Sequence, residues 1–176
     1  MTLSRIPIDE FQVRSHHLWD THWLLLCAGD LSAENFNMMT VAWGSFGTMW
    51  HRPFAQVVVR PTRHTFGFTE QYDSFTLCAF PEACRPVLKI MGTRSGRDMD
   101  KVRESGLTPL PSLEVESPGF AEAELVVECH KMYWDDFNPD RFLDPAIDKN
   151  YPQKDYHRIY FGEIKAVRGT TDYRAD

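Results

Sequence analysis

The chain has 176 residues, 43% hydrophobic, 25% charged and 13% aromatic, which supplies a core and excludes disorder over most of its length. Nineteen Lys and Arg against 25 Asp and Glu give a net charge of −6, so the surface as a whole repels phosphate backbones and anionic lipid, and neither a nucleic-acid nor a membrane partner is expected. The 5 Trp, 6 Tyr and 12 Phe exceed the needs of a core and suit a barrel interior, a dimer interface or a pocket for a planar ligand.

In chain order, Trp23 to Ala28 is the first compact apolar run, closed by the turn signal Gly29-Asp30. It is far shorter than the ~20 residues of a membrane span. Histidines and acids flank it and no basic segment precedes it, so a signal peptide is not expected and the default location is the cytoplasm. Met38 to Trp43 is β-favourable and breaks into the small residues of Gly44-Ser45-Phe46-Gly47-Thr48. Phe54 to Val59 and Ser74 to Phe80 read as strands, with a short helix between them over Thr65 to Tyr72. Glu82 to Met91 has Val87, Leu88 and Met91 at helical spacing, with Gly92 as its stop. Asp98 to Glu104 reads as a further helix ended by Gly106. Ala121 to Tyr133 and Tyr156 to Arg168 are long strands, separated by a Pro-, Asp- and Asn-rich loop excursion over Asp135 to Gln153. The expected class is mainly β, a β-barrel or sandwich with short helices, in a single domain spanning residues 1–176.

Cys27, Cys78, Cys84 and Cys129 contain no Cys-x-x-Cys pair, and His16, His17 and His22 lack a Glu-x-x-His partner, so no metal site is expected. Charge is more informative. No Asp or Glu occurs from Asn35 through Thr69, where the chain average places about five; Glu114 through Asp148, of equal length, holds ten. The acid-free span keeps Arg52, Arg60 and Arg63. It fits either room for an anion or strands that simply bury no charge. Within it, Arg60-Pro61-Thr62-Arg63-His64-Thr65 follows an apolar strand and opens a helix, with Thr62 as the expected N-cap. Two arginines at a helix N-terminus oppose the dipole unless an anion sits between them. The competing reading is a surface loop whose arginines pair with the acid-rich segment. Asn37 to Thr48 offers small residues through which a flat ring could approach the backbone, and a hairpin turn needs the same residues.

These segments, with Ser95-Gly96-Arg97-Asp98-Met99-Asp100-Lys101 and His157-Arg158-Ile159-Tyr160-Phe161-Gly162-Glu163-Ile164, occur in an order that resembles the flavin reductase-like family, particularly its flavoredoxin-like branch. The resemblance runs from about residue 23 to about 167 and implies an FMN-binding split barrel of Greek-key type. It further implies a homodimer that holds FMN near its interface and takes electrons from NADH or NADPH. Carried over by position, Thr40, Val41, Ala42, Trp43, Gly44 and Ser45 lie along the isoalloxazine and ribityl edge. Arg60, Thr62, Arg63 and Thr65 take the phosphate, Lys101 reaches the flavin, and His157 lies near the ring. Lys101 also fits simple balancing of its helix, and His157 an ordinary strand residue. Trp43, Phe46 and Trp50 are expected at the ring or an adjoining dimer contact; Trp23, Phe75 and Phe161 in the core.

The resemblance implies a flavin reductase passing hydride from nicotinamide to flavin N5 and electrons to an acceptor or partner oxygenase. His157 would orient the nicotinamide or stabilise the reduced flavin. The alternatives are a flavoredoxin-type electron carrier without NAD(P)H activity and an oxidase of the pyridoxamine-phosphate type.

Overall fold

The computed structural model describes residues 3–175, and antiparallel sheet dominates it. The strands are β1 (Ser4–Ile6), β2 (Leu24–Asp30), β3 (Asn35–Val41), β4 (Gly44–Met49), β5 (Arg52–Val59), β6 (Ser74–Ala79), β7 (Pro109–Leu110), β8 (Gly119–Phe120), β9 (Leu125–Asp136) and β10 (Arg158–Gly169). Three α-helices join them among the described residues: α1 (His64–Gln71), α2 (Arg85–Thr93) and α3 (Lys101–Ser105). Seven strands follow the order β3-β2-β6-β9-β10-β5-β4; β1 adds to the far end of β10, and β7 and β8 pair separately. The sheet does not close. Its two edges, β3 and β4, are consecutive in the chain and are linked only by Ala42 and Trp43. Among the described residues no helix is long and apolar enough to cross a membrane.

The double burial of β2 explains its unbroken apolar run. Leu24, Leu26 and Ala28 enter the barrel interior with Met39, Val57, Val59, Phe75, Leu77, Val127, Tyr160 and Ile164. Leu25 and Cys27 face the other way, under Leu88 and Met91 of α2 and beside Phe120 and Val126. β10 is covered less evenly and alternates buried with half-exposed residues over most of its length. Register shifts at Phe161/Gly162 and Ile164/Ala166 bend it against β9. At Gly162 a Cβ would stand 2.7 Å from the Phe75 ring, so close packing in the interior requires glycine there. Phe75 belongs to the interior as expected, whereas Trp23 lies half-buried beneath the Arg85 guanidinium and Phe161 packs against Phe54 and Tyr133.

The expected strands and helices are present, with shifts of up to four residues at their ends. α2 continues through Gly92 to Thr93. The segment Gly44 to Thr48 is not a turn but most of a strand, β4, which pairs with β5 from Gly44↔Val57 to Met49↔Arg52. The turn is Trp50-His51, both residues in the left-handed region (φ 52° and 58°), the geometry of a two-residue hairpin normally given to Asn-Gly.

Candidate functional site

The cleft lies where the sheet is split. A cavity of about 390 Å³ is lined by the end of β3 and its exit (Met39, Thr40, Val41, Ala42, Trp43), by Val58, Arg60, Thr62 and Arg63 at the end of β5 and beyond, and by His157 just before β10. This volume falls in the range of about 300–1,000 Å³ typical of small-molecule sites. A smaller hollow of about 110 Å³ shares Met39, Thr62 and Arg63 with it and adds Thr65, Ser95, Gly96, Arg97 and Lys101. The two together form one groove with an aromatic end at Trp43 and His157 and a cationic end at Arg63, Arg97 and Lys101.

Ten of the twelve residues singled out from the sequence line this groove. Gly44 and Ser45 do not. Gly44 lies against the Trp19 ring and the Gln56 carbonyl, where a Cβ would be 2.4 Å from each, and the Ser45 hydroxyl bonds Gln56 Oε1 at 3.0 Å. The change from β3 to β4 at Ala42-Trp43 turns them away. Phe46 packs on Phe11 and Trp19, and Trp50 sits at the hairpin tip against Tyr133, so neither lines the groove.

At the cationic end α1 begins at His64, with Arg63, not Thr62, at the N-cap position and no side chain capping the first turn. The Thr65 hydroxyl accepts from Asn37 Nδ2 at 2.8 Å. Arg63 donates to the Gly92 carbonyl, and burial together with Arg60 pushes its pKa down. The buried ammonium of Lys101 donates to the carbonyls of Met38 and Met91 at 2.8 and 2.9 Å. Burial first, and then Arg63, lower its pKa to about 8. Cations held in mutual repulsion with only carbonyls as partners make a site that an anion relieves.

Arg60 has found a carboxylate. Its Nη1 contacts both oxygens of Asp155 at 3.0 and 3.1 Å, its Nη2 donates to the Asn150 carbonyl at 2.8 Å, and Thr62 Oγ1 reaches Asp155 at 3.3 Å. Pairing of an arginine with an acid is thus true of Arg60, although the acid lies beyond the acid-rich segment. Asp155 raises no sequence signal: it lies 95 residues from Arg60, in a polar loop.

At the aromatic end the His157 ring is buried, 5.2 Å from the half-exposed Trp43 ring and 2.9 Å from Tyr151 Oη through Nδ1. Burial, and then Arg60, lower its pKa to about 4, so the imidazole is neutral near pH 7. Tyr151, like Asp155, belongs to the excursion between β9 and β10, which carries turns at Pro139–Arg141 and Pro145–Asn150. Among the described residues no group of three or more His, Cys, Asp or Glu is placed to hold a metal ion.

Comparison with known proteins identifies the fold and the family. No curated protein matches in sequence. Among solved structures, the FMN-binding domain of a flavin reductases-like enzyme from Shewanella baltica is 15% identical and superposes with a TM-score of 0.68 over 98% of this chain and 85% of that one. Flavoredoxin of Desulfovibrio vulgaris is 21% identical, with a TM-score of 0.67 over 90% of this chain and 78% of that one. The NADH:FAD oxidoreductase of Streptomyces globisporus is 13% identical, with a TM-score of 0.64 over 86% and 77%. These identities show the shared fold. The sequence model of the flavin reductase like domain matches residues 21–175, nearly the whole chain, and the protein therefore belongs to the flavin reductase-like family.

Proposed function

We propose that the protein binds FMN in this groove and acts as an NAD(P)H-dependent flavin reductase. The carrying observation is the polarity of the groove: a neutral aromatic end and a cationic end with more positive charge than Asp155 balances. That donor set fits a flat heterocycle joined to a phosphate monoester. Arg63, Thr65, Arg97 and Lys101, with Arg60 and Thr62, would hold the phosphate. The backbone from Thr40 to Trp43 and the His157 ring would flank the heterocycle. Bound there, FMN supplies a hydride acceptor at its N5 position for a reduced nicotinamide. The chain's own part is to orient and to exclude water, and His157, neutral and buried, offers a hydrogen bond without adding charge. The exposed Trp43 at the rim gives a second copy of the chain a surface to cover, and we propose a homodimer on that ground.

Titrating the apoprotein with FMN tests binding, and Arg60→Ala with Arg63→Ala together are expected to abolish it; unchanged affinity removes the phosphate assignment. Anaerobic addition of NADH and of NADPH then tests the activity. Retained FMN without reduction by either nucleotide identifies an electron carrier instead. His157→Ala is expected to slow reduction with FMN affinity largely kept. Light scattering reads the oligomeric state.

A further inference from the structure

We propose that Tyr151 is a positioning residue that fixes the His157 imidazole as an Nε2–H donor facing the cleft. The kinetic consequence rests on the flavin reading above, whereas the tautomer rests on the geometry alone.

Tyr151 is 2% exposed and does not line the cleft; it stands behind His157, in the excursion between β9 and β10. Its hydroxyl lies 2.9 Å from His157 Nδ1, the only acceptor it has among the described residues. A phenol carries one proton, and burial raises its pKa, so the proton stays on the oxygen. If the imidazole donated through Nδ1, that buried phenolic proton would have no acceptor, at a cost of about 1–3 kcal/mol. The phenol therefore donates, Nδ1 accepts, and the neutral ring carries its hydrogen on Nε2. Nε2 is on the opposite edge of the ring from Tyr151. It is not sealed in: among the described residues the buried side-chain polar atoms without a partner are Trp19 Nε1, Glu128 Oε1, Arg168 Nε and Thr170 Oγ1.

The charged surroundings leave this assignment intact. Arg60 lies 5.0 Å from the centre of the Tyr151 ring and is paired with Asp155, so neither a free cation nor a free carboxylate competes for Nδ1. The same excursion thereby holds Arg60 at one part of the groove and the histidine tautomer at another.

The decisive measurement is a long-range proton–nitrogen correlation spectrum of the nitrogen-15-labelled apoprotein, with His157 assigned by its absence in His157→Gln. A protonated Nε2 with an unprotonated Nδ1 is the expected result; a proton on Nδ1, or averaging between the two, overturns the proposal. Tyr151→Phe is expected to convert the spectrum to an averaged or Nδ1–H form and to lower kcat for FMN reduction about threefold to tenfold, the worth of one hydrogen bond. In a His157→Gln background, whose side-chain amide needs no tautomer, Tyr151→Phe is expected to change kcat less than twofold, an order-of-magnitude bound. An equal effect in both backgrounds shows a structural role and overturns the proposal. If the protein binds no FMN, or Tyr151→Phe does not fold, the wild-type spectrum alone decides.

Discussion

Raising the pH from about 6.5 to about 9.5 is expected to weaken FMN binding through Lys101 while stabilising the apoprotein through the same residue. Lys101 is 6% exposed, its ammonium bonds two carbonyls and faces Arg63, and its pKa is lowered to about 8. At a pH of about 9.5 only ~3% of it remains charged. A hydrogen bond from a charged group is worth about 1.5–3 kcal/mol, so loss of this cation is expected to cost the phosphate about tenfold to a hundredfold in affinity. A bound phosphate raises the pKa in the complex, which places the fall above that of the free protein. For stability the sign reverses. The folded pKa lies below the unfolded value, so from about 8 to about 10.5 the unfolded chain keeps a proton that the folded chain has released, and this residue's contribution to stability rises with pH. Flavin fluorescence titrations and thermal unfolding of the apoprotein, each run beside Lys101→Met, measure the two effects. Parallel affinity curves for wild type and variant across this range refute the assignment. So does a stability difference between them that does not change above a pH of about 8.

Asp155→Asn removes the carboxylate that occupies Arg60 and Thr62, and calorimetry with inorganic phosphate and FMN is expected to show affinity rising about fivefold, the worth of a partly exposed pair. A fall instead shows that Asp155 aims Arg60 rather than competing for it. Gly96→Ala places a Cβ 2.4 Å from Asn37 Oδ1 and 2.9 Å from His64 Cδ2. The displacement of the Ser95–Arg97 turn is expected to cost about 1–3 kcal/mol of stability and several-fold in FMN affinity, read by thermal melts and titration. Replacing Trp50-His51 by Asn-Gly puts residues that tolerate the left-handed region where two side chains are strained in it, each at about 1–2 kcal/mol, and is expected to raise the melting temperature. A lower one shows that the Trp50–Tyr133 contact is worth more.

Where two faces of a strand are buried, as in β2 and β6, a continuous apolar run is a faithful signal, and both strands are legible. β4 is not, because Gly44, Ser45 and Gly47 have low β-propensity and derive their conformation from pairing with β5. Its turn carries no glycine or asparagine, so nothing local separates Trp50-His51 from the rest of the strand. At the site, Arg60, Thr62 and Arg63 are legible because they stand together in a span without acids. Lys101 was singled out only by resemblance, since its carbonyl partners come from β3 and α2. Asp155 and Tyr151 lie in a polar loop with no periodicity, and their roles arise only when that loop folds back on the cleft.

On the proposed reading, the excursion between β9 and β10 also bears on how ligand leaves. Apart from the cluster of Phe142, Tyr151 and Tyr156 its residues are largely exposed, yet it fastens Arg60 through Asp155 and Asn150 and His157 through Tyr151. Segments with little apolar burial open at low free energy, well short of global unfolding. An opening that peels residues 144–156 from the barrel frees the arginine and the histidine in one event. A ligand held as proposed is then expected to leave at the rate at which the amides of that segment exchange, although residues 144–156 provide none of the groove's lining.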